Sequence, residues 1–269
     1  MHFLTRLALG ALLAAAAVGV NLISALQQTG ITQTVVRSII VALILFGLWR
    51  GLSATNVPAA TRRRRWLSVA IVLVVWLAVT WTLAVAGVFQ PGSGADVLLP
   101  LAIFLPLIIG LPLLLRSSWI GEVLDVTPPG WLIGLQVYRV FGSVFILAWA
   151  GAVLPGAFAL PAGAGDSLVG ILALPVAGIV SRYRAVGVAW NLLGILDLAN
   201  AFLVSTLTVQ GQLPFPFVLI PSFVVPLSVL LHAVSLRQSR GGALLASQTT
   251  WPMKASATGL PYSPPSPAN

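Results

Sequence analysis

The chain has no cysteine, only five acidic residues and only two histidines among its 269 residues. The first absence excludes disulfides, thiolate metal sites and cysteine nucleophiles. So few histidines, one of them His2, leave no donor set for haem or zinc, and no cofactor is expected. Charged residues of both signs amount to 7% against 58% hydrophobic residues, which places the chain outside soluble globular proteins.

What fills the chain instead is long apolar runs. Crossing roughly 30 Å of hydrocarbon at 1.5 Å per residue takes about 20 residues. Eight stretches approach or meet that length: 4–26, 34–52, 67–89, 97–115, 131–154, 167–181, 187–209 and 215–236, the sixth being the shortest. The sequence therefore predicts an all-α, polytopic transmembrane bundle of about eight helices over residues 1–236, its medium the lipid bilayer. Internal Pro and Gly do not oppose this, because neighbouring helices and water satisfy the freed backbone groups. Arg6 followed by an apolar run has the outline of a secretory signal with a small-residue context at Ala25, but the run continues to Leu26, which favours a retained first helix.

The net charge of +9 does not point to nucleic acid, since most basic residues sit at the ends of apolar stretches. Arg6, Arg50, Arg62 to Arg65, Arg116, Arg182, Arg184, Arg237 and Arg240 fall in alternate connections, whereas 90–96, 155–166 and 210–214 contain no Lys or Arg. The positive-inside rule then puts both termini in the cytoplasm, with Arg37 the one dissenting residue, and a bacterial cytoplasmic membrane is the expected location. The run Arg62, Arg63, Arg64, Arg65 reads as a topology determinant that also attracts anionic lipid head groups. The connection 117–130 sets Trp119, Ile120, Val123 and Leu124 beside Glu122 and Asp125, the pattern of a short interfacial helix. From Arg237 to Asn269 the chain turns rich in Ser, Pro, Thr and Gly, and a disordered cytoplasmic tail is expected there. Proline punctuation of two stretches (Pro100, Pro106, Pro112; Pro216, Pro221, Pro226) suggests a duplication into halves 1–116 and 131–236.

Within the apolar stretches a few polar residues stand out. A carboxylate at bilayer depth usually faces a partner or a water-filled cavity, and Asp197 has an obvious partner in Arg139. Counted from the basic ends of their stretches at 1.5 Å per residue, Arg139 lies about 12 Å deep and Asp197 about 15 Å, so they can meet. The same count puts Gln136, Asn191 and His232 in one shallower layer. Gln136, Arg139 and Ser143 share a helical face, as do Asn191, Gly194 and Asp197. This set reads either as a polar pathway or as an ion pair with amide hydrogen bonds that locks packing, helped by Gly170, Gly178 and Gly194. His232 reads as satisfied by a neighbour near the membrane boundary, with proton shuttling the rival.

Gly163, Ala164, Gly165, Asp166 resembles the Gly-x-Gly-Asp motif of intramembrane aspartyl proteases, but that family needs a second aspartate on an earlier helix, whereas Asp197 comes later and Asp96 lies in a loop. The plainer reading is that Asp166 caps the sixth helix after a glycine-rich loop. The pattern of Gln136, Arg139, Gly165, Asp166, Trp190, Asn191, Asp197 and His232 resembles uncharacterised bacterial multi-pass membrane proteins. Three classes fit: a small-solute or ion/proton transporter using Arg139, Asp197, Asn191, Gln136, His232 and Asp166, a non-catalytic membrane scaffold, and a membrane-embedded enzyme. No spacing identifies a catalytic residue, so an enzyme is the least favoured.

Overall fold

The computed structural model describes residues 3–23, 30–90, 93, 97–209 and 213–248, and side-chain environments as far as Arg240. His2, Ala25, Asp96 and the tail from residue 249 lie outside them. All regular structure in the described residues is helical, and eight segments are long and apolar enough to cross a membrane. These are α1 (Phe3–Asn21), α2 (Ile31–Ala54), α3 (Ala59–Val85), α4 (Leu98–Arg116), a fifth composite span, α8 (Gly156–Ile179), α9 (Arg184–Val209) and a composite eighth span. Between α4 and the fifth span lies α5 (Ser118–Val126), the short amphipathic helix its sequence suggests. Ser117 caps it, Ile120, Val123 and Leu124 are buried, and Glu122 and Asp125 are exposed. The protein is a multi-pass membrane protein. Its outer surface is correspondingly apolar, with Ile71, Ile108, Leu196 and Leu207 each more than half exposed.

Two spans are not continuous α-helix. The fifth runs as α6 (Pro129–Leu135), a 3₁₀ segment (Gln136–Ser143) and α7 (Val144–Ala150). Three residues per turn stack Gln136, Arg139 and Gly142 on one face, where an α-helix would spread them. The eighth begins as a π segment (Ile220–Val224) and continues as α10 (Val225–Gln248). Pro226 has no N–H to give the Ser222 carbonyl and its ring crowds that turn, so the wider winding falls where proline demands it.

Two boundaries differ from the sequence reading. The sixth span starts at Gly156, so 156–166 is helix and not loop, and Asp166 sits in mid-helix and caps nothing. Small residues look like a flexible connection in isolation. Here they let backbones touch, since apolar lipid supplies no hydrophobic drive between helices and close packing must hold them. Gly163, Asp166 and Gly170 share one face of α8 toward the 3₁₀ segment, where a β-carbon on Gly170 would come within 2.9 Å of Val140 Cγ1 and one on Gly163 within 3.2 Å of the Gly142 carbonyl oxygen. The second difference is the tail: α10 extends to Gln248, beyond Arg237 where the sequence reading ends order. Arg237 donates to the Leu114 carbonyl and, at 2.8 Å, to that of Ser117, satisfying the C-terminal end of α4. Gln238 reaches the carbonyls of Leu124 at 2.7 Å and Thr127 at 2.6 Å.

The basic connections gather at one end of the bundle. There Arg65 pairs with Glu122 at 3.3 Å and lies over Trp119, and Arg62 lies over Trp49. Arg62 to Arg65 occupy the first turns of α3, where the helix dipole disfavours positive charge. The opposite, arginine-poor end holds an apolar cluster built on Phe89, Phe145, Phe158 and Phe217.

Candidate functional site

Mid-way along the bundle, Arg139 of the 3₁₀ segment is surrounded by α8, α9 and α10. Its side chain is 1% exposed, so its N–H donors need acceptors, and each of its three nitrogens donates to at least one. Nε donates to Asp166 Oδ1 at 2.8 Å, and Nη2 lies 2.7 Å from the same oxygen. Nη2 also donates to Asp197 Oδ2. Nη1 donates to the Gly194 carbonyl at 3.3 Å and faces His232 Nε2 at 3.2 Å. A guanidinium cannot accept, so His232 Nε2 is the acceptor and its proton rests on Nδ1, which donates to Asn191 Oδ1 at 2.9 Å. Asn191 then donates to Ser235 Oγ at 3.0 Å and to its own helix at Gly187 O. The result is an unbroken hydrogen-bonded line from Asp166 and Asp197 through Arg139, His232 and Asn191 to Ser235.

Three absent β-carbons make room for it. One on Gly142 would lie 2.7 Å from Asp166 Cγ, one on Gly165 would lie 2.6 Å from Asp197 Cγ and closer still to its Oδ1, and one on Gly194 would strike the His232 ring and stand 3.1 Å from Arg139 Nη1. Each glycine sits opposite a different member of the line. The pairing of Arg139 with Asp197 that depth arithmetic suggests is present, with Asn191 and His232 joined to it. Gln136 belongs elsewhere. Its amide donates to the Ser228 carbonyl at 3.3 Å and its oxygen accepts from Tyr138 Oη at 3.1 Å, while Tyr138 Oη is also 2.7 Å from Ser228 Oγ. Sequence reasoning missed Tyr138, Ser228 and Ser235, although Ser228, His232 and Ser235 at four- and three-residue spacing mark the polar face of α10. It also missed Asp166 as the second carboxylate on Arg139. Both acids bind the guanidinium, an arrangement unlike two aspartates that share a proton. Trp190 donates to the Val169 carbonyl at 3.2 Å and its ring lies 5.1 Å from that of His232, fixing the imidazole from the far side.

The carboxylates are not sealed in as the guanidinium is: Asp166 is 14% and Asp197 11% exposed at the side chain. Asp166 Oδ2 and Asp197 Oδ1 accept no bond from the described residues. Asp166 lines a cavity of about 250 Å³ at the arginine-poor end, between α4, α8, α9 and the π segment, with Phe89, Phe145, Phe158 and Phe202 in its walls. A crevice of about 20 Å³ beside Arg139 shares Asp166, Leu198, Ile220 and Val225 with that cavity and also touches Tyr138 and Gln33. Its size suits one water. Arg37, the residue at odds with the charge pattern, is fully buried. Its Nε donates to the Gln33 carbonyl at 3.0 Å within α2, while Nη1 and Nη2 have no partner among the described residues.

No curated protein matches the chain. No solved structure matches it either. A family described as a domain of unknown function, DUF8737, matches residues 96–240, a stretch that contains every member of the polar line. That match spans more than half of the 269 residues, and the chain belongs to the DUF8737 family.

Proposed function

We propose that the protein is a small transporter that moves a proton or small cation through the Asp166–Arg139–Asp197 site, entered from the arginine-poor face. In this reading both termini are cytoplasmic, the membrane is a bacterial cytoplasmic membrane, and the cavity opens to the exterior. The observation that carries it is the cavity with Asp166 in its wall. A carboxylate retained for packing alone would be closed off, as Arg139 is, because desolvation of a half-satisfied acid opposes stability. With two carboxylates on one guanidinium and a neutral His232, the site has a formal charge of −1. It lacks one positive charge.

The 3₁₀ and π segments support the reading. Irregular winding at membrane depth is tolerated where it lines a cavity, and such stretches often mark functional hinges. Arg139 sits in one, and Ile220 of the other lines both the cavity and the crevice. The exposed Arg63 and Arg64, next to the tethered Arg62 and Arg65, serve anionic head groups at the cytoplasmic surface.

The test is flux. Purified protein in liposomes holding a pH-sensitive dye should pass protons, or with added salt a small cation, in response to an imposed potential, and Asp166→Asn should stop it. Liposomes no more permeable than protein-free ones under every cation tried would refute transport.

A further inference from the structure

We infer that the substrate is an amphiphilic organic monocation: a protonated amine on a compact apolar or aromatic body, its ammonium on the Asp166 carboxylate. This rests on the transport reading above and narrows its substrate class. The charge argument comes first. The site carries a formal −1 with Asp166 at the cavity, so one positive charge makes it neutral, whereas an anion would add a second uncompensated charge in a low-dielectric surrounding.

The walls then choose among cations. A hard metal ion takes six or more oxygen ligands, or keeps much of its water, and needs a polar cage. This cavity offers one carboxylate, with Gln90, Ser205 and Thr206 its other polar side chains, against Phe89, Phe145, Phe158 and Phe202, too few oxygen ligands in a mainly apolar wall to replace a hydration shell. An ammonium on an apolar body suits both surfaces. Its N–H groups meet the carboxylate in charge-assisted hydrogen bonds, its body displaces water from the aromatic wall, and aromatic faces attract nearby positive charge. A volume of about 250 Å³ exceeds the 150 Å³ of an engineered cavity that holds benzene, leaving space for a ring with a short side chain. Asp166 already gives Oδ1 to Arg139 Nε and Nη2, and Oδ2 accepts no bond from the described residues. The ammonium fills that vacant acceptor without dismantling the ion pair.

The experiment is equilibrium dialysis of the full chain in detergent with radiolabelled phenethylammonium, against the neutral phenethyl alcohol and the anionic phenylpropanoate. Saturable binding of one phenethylammonium per chain is expected, with no comparable binding of the alcohol or the acid. Asp166→Asn should weaken it by about tenfold or more, the scale of a lost charge-assisted contact. Since that variant can also disturb folding, Ser205→Phe, which fills the cavity about two turns of α9 beyond Asp197, should abolish binding while the protein elutes as a folded species. Equal binding of the alcohol would mean an apolar or lipid-chain pocket and overturn the proposal, as would unchanged binding in Ser205→Phe. Absent phenethylammonium binding beside intact proton flux in liposomes would overturn the substrate class and leave transport standing. Absent binding with absent flux would remove both.

Discussion

Substituting Arg139 tests the polar line harder than substituting either acid, and the reason is a count of charges. The sequence alone pairs Arg139 with Asp197 and predicts that Asp197→Asn strands a cation. The structure supplies a second counter-ion, so after Asp197→Asn the guanidinium still binds Asp166 through Nε at 2.8 Å and Nη2 at 2.7 Å, and the net charge moves from −1 to zero. One charge-assisted hydrogen bond is weakened, roughly 1.5–3 kcal/mol at most, and lower desolvation offsets part of it. Asp197→Asn should therefore destabilise by no more than about 2 kcal/mol. Arg139→Gln removes the only cation and leaves two carboxylates facing each other, on the order of 3–5 kcal/mol as for other broken buried pairs. Arg139→Gln combined with Asp166→Asn should recover part of that loss, with a coupling energy of about 1–3 kcal/mol. Reversible unfolding by a denaturing detergent in mixed micelles, followed by tryptophan fluorescence, measures each corner of the cycle. Additive effects, or an Asp197→Asn variant as unstable as Arg139→Gln, would refute the shared guanidinium.

Three further outcomes follow from single contacts. Gly165→Ala should destabilise the protein in the same unfolding assay, because its β-carbon would lie 2.6 Å from Asp197 Cγ, whereas Gly19→Ala, with nothing within 4 Å, should be neutral or mildly stabilising through helix propensity. Arg37→Met should raise stability by about 2 kcal/mol or more on insertion scales, since it replaces a fully buried guanidinium with two unpartnered nitrogens by an apolar chain of similar reach; a loss of stability would mean that Arg37 has an anionic partner. Reporter fusions after Arg65, Ser117 and Arg240 should report cytoplasm and fusions near Gly92 the exterior, and a cytoplasmic signal at Gly92 would reverse the proposed entry face.

Span number was legible because apolar length is a one-dimensional property, and all eight stretches carry it. The Arg139–Asp197 contact was legible for a related reason: ionisable groups at bilayer depth must find each other, and depth is readable from residue counting. Asp166 was not. Gly163, Ala164 and Gly165 before it have the composition of a loop, and only a neighbouring backbone reveals that their smallness serves contact inside α8. The windings of 136–143 and 220–224 were equally hidden, because hydropathy does not report the number of residues per turn; Pro226 marks the second, but nothing so local marks the first. Arg237 and Gln238 read as the start of a tail since their partners, the carbonyls of Leu114, Ser117, Leu124 and Thr127, are more than a hundred residues away in sequence.

The most direct test of the account asks whether water reaches Asp166 from one face only. The natural chain has no cysteine, so single replacements can be labelled without background. Ser205→Cys and Ala201→Cys, both half-buried in the cavity wall, should react with a membrane-impermeant maleimide applied to the exterior of intact cells, while Ala173→Cys, fully buried on α8, should not. Protection of Ala201→Cys by phenethylammonium would tie access to the site. Labelling of the wall positions only from the cytoplasmic face, or of none of them, would contradict an outward-opening cation site.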